Sequence, residues 1–503
     1  GRERDKDEER ERERERMGVE EEGNGVLHML VVSFQAEGHL NAILRLAQNL
    51  AAREGVIVTF AYPARFHHLA LQRNGQLAAL LASPVVQQSK LRIRVVEDGL
   101  PREEAQGLTP PIVLASIPIY QHNVKLLLDQ LLAERPYPVC LISDTFVPWT
   151  QDLANAAHLP RVDFWTSTAA VYSMGSQLSL LVSKGILPLH HSCWVDPETK
   201  WSANTPLIEG VPGLPPFPAT DLPKEFLSGE EFALQFMLAA FGRVREAHTI
   251  LVHSLYELEA SVFDALRAMD LPIHPVGPLS DDSPTPAQLP GVDGSQRHEC
   301  LHWLDTQPVA SVIYVALGSI AKLSPSEMHA LALALEACKR PFLWVIRIDS
   351  VSSPLDDALP PGFLNRTVDQ GSGLIISWAP QTQVLSHPSV CAFFSHCGWN
   401  STLECMWEGI PMVACPRAAE QRSNAKWIVG TWKIGVPLER ELDGSFTQEA
   451  IEKALQELLS KDKFDYYKRK ALCAKEMARH ALQEKGSSNA NILNLLQKLR
   501  HNS

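Results

Sequence analysis

The stretch VCAFFSHCGWNSTLE, residues 390–404, passes from a continuous apolar segment through a glycine into small polar residues. The apolar part is typical of a buried strand, and Asn400-Ser401 after Gly398 is typical of the start of a helix. The first N–H groups of a helix lack partners within the helix and carry a partial positive charge, so they bind anions without a metal. The stretch therefore favours a strand–turn–helix unit with a phosphate site at the helix N-terminus.

Polar side chains within this unit have the chemistry to extend such a site. His396, Asn400 and Ser401 can donate to a diphosphate, and Glu404, one turn further along, can accept from ribose hydroxyls. The ordinary alternative stays open, because Asn-Ser is a common N-cap pair and a histidine before glycine is often a core or turn residue. The chain contains no G-x-x-x-x-G-K-[ST] loop, and no G-x-G-x-x-G follows its first strand. A P-loop kinase and a dinucleotide oxidoreductase are therefore disfavoured.

Apolar runs alternate with amphipathic stretches on both sides of this unit. We predict strands at residues 26–34, 56–62, 91–96, 139–143, 311–319, 341–347, 373–378, 390–396 and 410–416, and helices at 40–53, 119–134 and 491–500. Continuous apolar runs separated by helices predict parallel sheets that are covered on both faces. The predicted fold class is α/β, with two Rossmann-like, doubly wound parallel-sheet domains facing across a cleft, where ligands bind at the carboxyl ends of the strands.

The length of 503 residues exceeds what one ordinary core supports, so two domains are expected. The strand–helix alternation is interrupted by a segment rich in Pro, Asp, Ser and Gly. We therefore predict a disordered, all-charged tail, an N-terminal domain, a linker, a C-terminal domain and a final helical segment, at residues 1–16, 17–270, 271–300, 301–475 and 476–503. An all-charged tail has no apolar surface with which to join a core.

Composition excludes several functional classes. The net charge is −12, and no basic stripe is visible, so nucleic acid is not expected as a partner. The nine cysteines are odd in number and form no C-x-x-C pair, which favours reduced thiols in a cytoplasmic protein. No apolar run is long enough to span a bilayer, and no signal-peptide core follows the charged start, so no membrane span is expected.

The segment from Trp378 to Gln421 is 44 residues long and has the sequence WAPQTQVLSHPSVCAFFSHCGWNSTLECMWEGIPMVACPRAAEQ. It closely resembles the signature box of plant secondary-product UDP-glycosyltransferases, glycosyltransferase family 1. The match includes WAPQ, VL-x-H, SHCGWNS, the glutamate four residues past that asparagine, G-x-P and the closing acid–Gln pair. The resemblance extends through SVIYVALGS, RPFLWVIR, HSLYELE and VGPL and covers essentially everything after Met17. It implies the GT-B architecture, with an acceptor-binding N-terminal domain, a UDP-sugar-binding C-terminal domain, and a last helix that packs back on the N-terminal domain.

The resemblance also implies roles for individual residues. Trp378 resembles the indole that stacks on uracil, and Ala379 a backbone contact to the base. Gln381 and Glu404 resemble the ribose contacts. The other implied donor contacts are Ser319, His396, Asn400 and Ser401 for the diphosphate, and Thr166, Trp399, Glu420 and Gln421 for the sugar. These residue types suit the chemistry, because an aromatic face stacks on a base and a carboxylate accepts from paired hydroxyls.

A histidine and an aspartate are the candidate catalytic pair. His39 follows the first strand in SFQAEGHLN, and Asp144 follows the strand VCLIS, so both lie at carboxyl ends of predicted strands. A carboxylate that orients an imidazole, which then deprotonates a hydroxyl, is a general-base arrangement. Local packing of His39 and helix capping by Asp144 are the ordinary alternatives from the residues alone. The resemblance implies that His39 is the base and Asp144 its partner.

The favoured function is inverting transfer of glucose from UDP-glucose to a hydroxyl of a small apolar plant metabolite, of phenolic, flavonoid or terpenoid type. Glucose is implied because the closing glutamine, Gln421, accompanies glucose in the family. One alternative is transfer to an aromatic carbon of a phenolic acceptor. A second is a catalytically silent sugar-nucleotide-binding protein, which the retention of both His39 and Asp144 disfavours.

No metal or resident cofactor is expected, and UDP-glucose is the donor co-substrate. Metal-dependent sugar transferases of the other main architecture use an Asp-x-Asp motif, and the only one here is Asp5-Lys6-Asp7 in the tail. The expected partners are the UDP-sugar and the small acceptor, and the chain is expected to be a monomer.

Overall fold

The computed structural model describes residues 26–72, 90–102, 110–189, 194–196, 200–201, 206–227, 231–279, 298–318, 323–347, 358–441 and 444–502. The predicted tail at residues 1–16, most of the predicted linker and Ser319 lie outside these ranges.

The strands of the described residues are numbered in chain order. They are β1 Leu27–Val32, β2 Val56–Pro63, β3 Leu91–Val96, β4 Cys140–Asp144, β5 Arg161–Trp165, β6 Trp194–Asp196, β7 Lys200–Trp201, β8 Leu207–Ile208, β9 Phe217–Pro218, β10 Thr249–Val252, β11 Ile273–Pro275, β12 Val312–Ala316, β13 Phe342–Val345, β14 Gly373–Ile376, β15 Val390–Ser395, β16 Met412–Ala414 and β17 Gly435–Pro437.

Helices alternate with most of these strands. The α-helices are α1 Glu37–Ala51, α2 Ala64–Gln72, α3 Pro110–Ala133, α4 Thr150–Ala156, α5 Ala169–Ser176, α6 Leu178–Ser183, α7 Lys224–Leu227, α8 Glu231–Gly242, α9 Tyr256–Arg267, α10 Glu299–Asp305, α11 Pro325–Ala337, α12 Phe363–Thr367, α13 Gln381–Leu385, α14 Trp399–Glu408, α15 Gln421–Lys426, α16 Gln448–Leu459, α17 Lys461–Leu482 and α18 Ser487–Asn502. Short 3-10 turns lie at Ala219–Asp221 and Val244–Glu246, and a π-helical turn at Trp427–Thr431.

Two large sheets organise the chain. One has seven strands in the order β11-β10-β5-β4-β1-β2-β3, and the other has six in the order β14-β13-β12-β15-β16-β17. Central pairs are parallel: β1 pairs with β2 and β4, and β12 pairs with β13 and β15. Two further two-stranded sheets, β6-β7 and β8-β9, are antiparallel. The predicted α/β class with parallel sheets is confirmed.

The central strands are buried along their whole length. Every residue of β1 and β15 is buried, as expected for parallel strands with helices on both faces. Helix α1 presents an apolar face that includes Leu40, Ile43 and Leu50, while its other positions are polar or part-exposed. Because parallel strands all end at one edge of a sheet, β1 and β4 carry the residues that follow them to the same edge.

Contacts between residues divide the chain into two compact units. The first takes the described residues of Gly1–Phe164, Glu246–Ile250 and Ala490–Ser503, and the second those of Trp165–Arg245 and Leu251–Asn489. The domain limits expected from the sequence stay predictions.

Candidate active site

In the first unit, His39 and Asp144 are hydrogen-bonded. His39 lies in the first turn of α1, which begins at Glu37, and Asp144 is the last residue of β4. The distance from His39 Nδ1 to Asp144 Oδ2 is 2.7 Å, although 105 residues separate the two in sequence. The Asp144 side chain is 1% exposed and that of His39 is 21% exposed. The buried carboxylate therefore orients an imidazole that solvent and ligands can reach.

Aromatic rings enclose the His39 imidazole. The Phe34 ring meets it edge-on at a centroid distance of 5.3 Å, and the Phe146 ring lies tilted against it at 4.9 Å. The backbone N–H of Phe146 donates to Asp144 Oδ1 at 2.8 Å, so both carboxylate oxygens accept a hydrogen bond. This apolar wall restricts the imidazole to one orientation and offers little competition to a hydroxyl at Nε2.

A buried polar network lies beside Asp144 on the neighbouring strand. Arg161 and Asp163 of β5 form an ion pair, with side chains 1% and 0% exposed. Thr145 donates to Asp163 Oδ2 at 2.8 Å, and Arg161 Nε donates to Ser143 Oγ at 2.8 Å. Burial raises the pKa of Asp163, and the Arg161 guanidinium and the Thr145 hydroxyl oppose that rise. The network therefore anchors the residues on both sides of Asp144.

In the second unit, β15 leads through a tight turn into α14. Cys397 has a φ of 65°, and Gly398 is the N-cap of α14 without a side-chain capping hydrogen bond. Asn424 Nδ2 donates to the Cys397 carbonyl at 2.9 Å and holds the turn. The predicted strand–turn–helix unit is thus present, and a helix N-terminus of this kind suits an anion.

The His396 imidazole lies between two glycines. A Cβ on either Gly318 or Gly398 would collide with His396 Nε2, and Gly318 has a φ of 78°, so both positions require glycine. Burial lowers the pKa of His396 to about 4, against opposing effects of the Ala316 carbonyl and the Glu404 carboxylate. The imidazole is therefore neutral at pH 7, and a bound anion would raise its pKa because negative charge favours the imidazolium form.

Three residues that are predicted to contact the UDP-sugar lie together at the side of α14. Gln381 Nε2 donates to Glu404 Oε2 at 2.7 Å and to Ser401 Oγ at 2.8 Å. The Tyr314 hydroxyl donates to Gln381 Oε1 at 3.3 Å and orients the amide. Gln381, Ser401 and Glu404 thus form one polar cluster from two helices, with the hydrogen-bonding capacity that a ribose requires.

Trp378 lies next to this cluster in sequence and is solvent-accessible. The residue is 44% exposed, and the His298 ring meets its indole edge-on at a centroid distance of 5.4 Å. Ala379 is 8% exposed. An indole supported at its edge keeps a face for stacking on a planar ligand.

Two predicted sugar contacts, Glu420 and Gln421, lie at the N-terminal end of α15. Gln421 is buried, and its Oε1 accepts from the backbone N–H groups of Arg417 and Ala418 at 2.8 and 2.9 Å. Glu420 Oε1 accepts from Asn424 Nδ2 at 3.4 Å. Both lone pairs of the Gln421 oxygen are therefore used within the protein, which leaves its amide N–H groups as the part that suits a sugar hydroxyl.

The other predicted sugar contacts differ in accessibility. Trp399 is 3% exposed and its Nε1 donates to the His253 carbonyl at 2.6 Å, so any ligand contact would come from its backbone N–H. Thr166 is 7% exposed and follows β5. Asn400 occupies the second position of α14. Ser319 lies outside the described residues.

Several residues at these sites are missing from the sequence-based prediction. Phe146, Tyr314 and His298 contact predicted site residues in the folded chain, and Arg417 contacts Gln421, four residues further along. Phe146 could have been identified from its sequence position, two residues after Asp144 at a strand end. Tyr314 and His298 lie far in sequence from Gln381 and Trp378, which they contact, whereas Arg417 lies inside the segment 378–421.

Replacing Trp378 with alanine is expected to weaken UDP binding by about 1–3 kcal/mol, the usual contribution of stacking between a base and an aromatic ring. Because the indole is exposed, its removal opens no cavity in the core. Isothermal titration calorimetry with UDP measures the effect. Leu472→Ala is the control, because Leu472 is a similarly exposed apolar residue, on α17 of the same unit, and unchanged UDP affinity in Trp378→Ala would contradict the stacking role.

The described residues contain no group of three or more His, Cys, Asp and Glu side chains arranged to hold a metal ion. No helix among them has both the length and the apolar character needed to cross a membrane.

Comparison with known proteins gives consistent matches. Residues 291–478 match the family model described as UDP-glucoronosyl and UDP-glucosyl transferase. The chain is 31% identical to 7-deoxyloganetin glucosyltransferase of Gardenia jasminoides and 31% identical to scopoletin glucosyltransferase of Nicotiana tabacum. Each alignment covers 94% of this chain, and 97% and 98% of the respective relative.

A solved structure supports the same assignment. The chain is similar to Medicago truncatula UGT71G1 complexed with UDP-glucose, with a TM-score of 0.76, 28% identity, and coverage of 95% of this chain and 99% of that chain. The GT-B fold class and the resemblance seen in the sequence are thereby confirmed. The chain belongs to the plant UDP-glycosyltransferases and is a glycosyltransferase.

Proposed function

We propose that this enzyme transfers glucose from UDP-glucose to a hydroxyl of a small, largely apolar plant metabolite, with inversion at the anomeric carbon and without a metal. The observation that carries the proposal is the 2.7 Å hydrogen bond between His39 Nδ1 and the buried Asp144 carboxylate. A silent sugar-nucleotide-binding protein has no need of an imidazole whose tautomer is held in this way.

The pair supplies the base that the reaction needs. The Asp144 carboxylate accepts a hydrogen bond from the protonated Nδ1 of His39. The other ring nitrogen, Nε2, therefore carries a lone pair. An acceptor hydroxyl at Nε2 loses its proton as its oxygen forms a bond to the anomeric carbon, and the bond from that carbon to the UDP oxygen breaks. Attack opposite the leaving group inverts the anomeric centre. Asp144 stabilises the imidazolium without taking the proton.

Donor binding is assigned to the second unit. In this proposal the diphosphate is held by the N-terminus of α14 and by His396, Asn400, Ser401 and Ser319. Trp378 stacks on the uracil and the Gln381–Glu404 cluster binds the ribose. A diphosphate beside His396 raises the pKa of the imidazole, which favours uptake of a proton. The resulting imidazolium then binds the diphosphate more tightly.

The acceptor is assigned by its chemistry. The Phe34 and Phe146 rings beside His39 favour a flat, apolar molecule that carries a hydroxyl. Two relatives are named as glucosyltransferases of 7-deoxyloganetin and of scopoletin, which are small metabolites. A panel of plant phenols, flavonoids and terpenoid alcohols incubated with UDP-glucose, and read by mass spectrometry for an added hexose, tests the proposal. Acid hydrolysis of the product separates an O-glucoside from a C-glucoside, and absence of any product across the panel counts against the function.

Glucose is expected to be the preferred sugar. The Gln421 amide N–H groups and the Glu420 carboxylate offer a donor and an acceptor to neighbouring sugar hydroxyls. Inverting the 4-hydroxyl would leave a buried polar group unpaired, at a cost of about 1–3 kcal/mol. Initial rates with UDP-glucose, UDP-galactose, UDP-xylose and UDP-glucuronate at equal concentration measure the preference. A faster rate with any of the last three would contradict this assignment.

A further inference from the structure

The loop that precedes α15 and ends at Glu420 is tied to helix α11 by a buried ion pair. Arg417 Nη1 donates to Glu327 Oε1 at 2.6 Å, and Arg417 Nη2 donates to Glu327 Oε2 at 3.1 Å. The two side chains are 15% and 5% exposed. A bidentate guanidinium–carboxylate pair fixes direction as well as distance, which a single apolar contact does not.

The Glu327 end of this pair is itself immobilised. Glu327 is the third residue of α11 and forms a capping box, in which its Oε2 accepts from the Ser324 N–H at 2.9 Å and its own N–H donates to Ser324 Oγ at 3.2 Å. The carboxylate therefore has one available orientation, and Arg417 is held against a rigid helix end.

The Arg417 end controls the orientation of Gln421. The N–H of Arg417 and that of the next residue both donate to Gln421 Oε1. A second arginine supports the same loop, because Arg440 donates to the Pro416 carbonyl. The Arg417 guanidinium also lies over the Phe446 ring, 5.6 Å from its centroid. Movement of the Arg417 backbone would therefore turn the Gln421 amide.

We propose that Arg417, through its ion pair with Glu327, is a positioning residue that determines specificity for the donor sugar. It holds the loop of residues 415–420 so that the Gln421 amide N–H groups face one arrangement of sugar hydroxyls. The inference rests on the proposed function, because it assigns Glu420 and Gln421 to the sugar. It goes further by making an ion pair that does not touch the ligand the cause of sugar discrimination.

Arg417→Met tests this inference, because methionine keeps much of the side-chain length but removes the charge and the two hydrogen bonds. We expect the affinity for UDP-glucose, measured by calorimetry, to fall about tenfold, the effect of one misplaced buried hydrogen bond, while the affinity for UDP changes less than about twofold. The ratio of kcat/KM for UDP-glucose to that for UDP-galactose should fall by a similar factor. Glu327→Gln, which keeps size and loses charge, should change the same quantities in the same direction.

Arg366→Met is the matched control. Arg366 forms a bidentate pair with Glu336 in the same unit, through Nε–Oε1 at 2.5 Å and Nη2–Oε2 at 2.9 Å, but this pair is more exposed and joins α12 to α11. The control should leave both affinities and the sugar preference at parental values. If Arg417→Met is unfolded in a thermal melt, Arg417→Lys and Glu327→Gln take its place, since lysine keeps the charge without the bidentate geometry.

Two outcomes overturn the inference. One is a folded Arg417 variant that keeps the parental UDP-glucose affinity and sugar preference. The other is an equal loss of affinity for UDP and for UDP-glucose, which would place the effect on the nucleotide or on the fold. Failure of the proposed function would give a different result, because the parent protein would then bind UDP-sugars without transferring them. The ratio of the UDP-glucose affinity to the UDP affinity, compared between the parent and the Arg417 variants, would still test the ion pair.

Discussion

His39→Ala is expected to lower turnover by about 10²–10⁴-fold, the usual contribution of positioned general-base catalysis. An alcohol or phenol hydroxyl is a weak nucleophile until its proton is removed, and His39 is the imidazole that a buried carboxylate orients in the first unit. The affinity for UDP should stay near the parental value, since the proposed donor contacts are residues of the second unit. Steady-state kinetics with a phenolic acceptor and calorimetry with UDP measure the two quantities.

A matched control and a rescue sharpen this expectation. His122 is an exposed histidine on α3 of the same unit, and His122→Ala should keep parental turnover. A strongly acidic phenol, already ionised at the assay pH, needs no base and should recover part of the activity lost in His39→Ala. Parental turnover of His39→Ala on ordinary alcohols would place the base elsewhere.

Apolar patterning predicted most of the central strands but missed those that violate it. β5 has the sequence RVDFW, and its two charges argue against a buried strand when read alone. The fold resolves this because Arg161 and Asp163 neutralise each other within the sheet. β10, β11 and β17, of four, three and three residues, were also missed, although β13, β14 and β16 are as short and were predicted from longer apolar runs.

Helix limits were predicted less well than strands. Helix α3 begins at Pro110, nine residues before the predicted start, because its early residues are apolar on several faces and show no amphipathic period. Helix α1 begins at Glu37 rather than residue 40, which places His39 within the first turn instead of before the helix. This shift matters for the site, because a residue in the first turn has a fixed side-chain direction.

The residue types of the site were predictable, but their partners were not. The resemblance identified Gln421 and Trp399, but not that the Gln421 oxygen is used by its own loop or that the Trp399 indole donates to the His253 carbonyl. The Arg417–Glu327 pair joins residues 90 positions apart. Such pairs follow from how strands and helices pack in space, and no spacing in one sequence encodes them.

The geometry at Asp144 makes the carboxylate difficult to replace. Its two oxygens accept two different donors, His39 Nδ1 at 2.7 Å and the Phe146 N–H at 2.8 Å. Asparagine has one acceptor oxygen and one NH₂ group, so it cannot satisfy both donors. If the oxygen keeps the Phe146 N–H, the NH₂ group points at His39 Nδ1 and forces that nitrogen to accept. The proton then moves to Nε2, the nitrogen that must be unprotonated to act as the base.

Asp144→Asn is therefore expected to lower kcat by about 10²–10⁴-fold, an effect of the wrong tautomer and of the lost charge beside the imidazolium. The melting temperature should change little, because asparagine fills the same volume and retains one of the two hydrogen bonds. Asp129→Asn is the control, since Asp129 is an exposed carboxylate paired with Lys125 on α3, and it should keep parental kcat. NMR of the imidazole nitrogens distinguishes the tautomers directly, with the proton on Nδ1 in the parent and on Nε2 in the variant. Parental kcat in a folded Asp144→Asn protein would mean that the carboxylate does not orient the base, and the proposed mechanism would then lose the residue on which its tautomer depends.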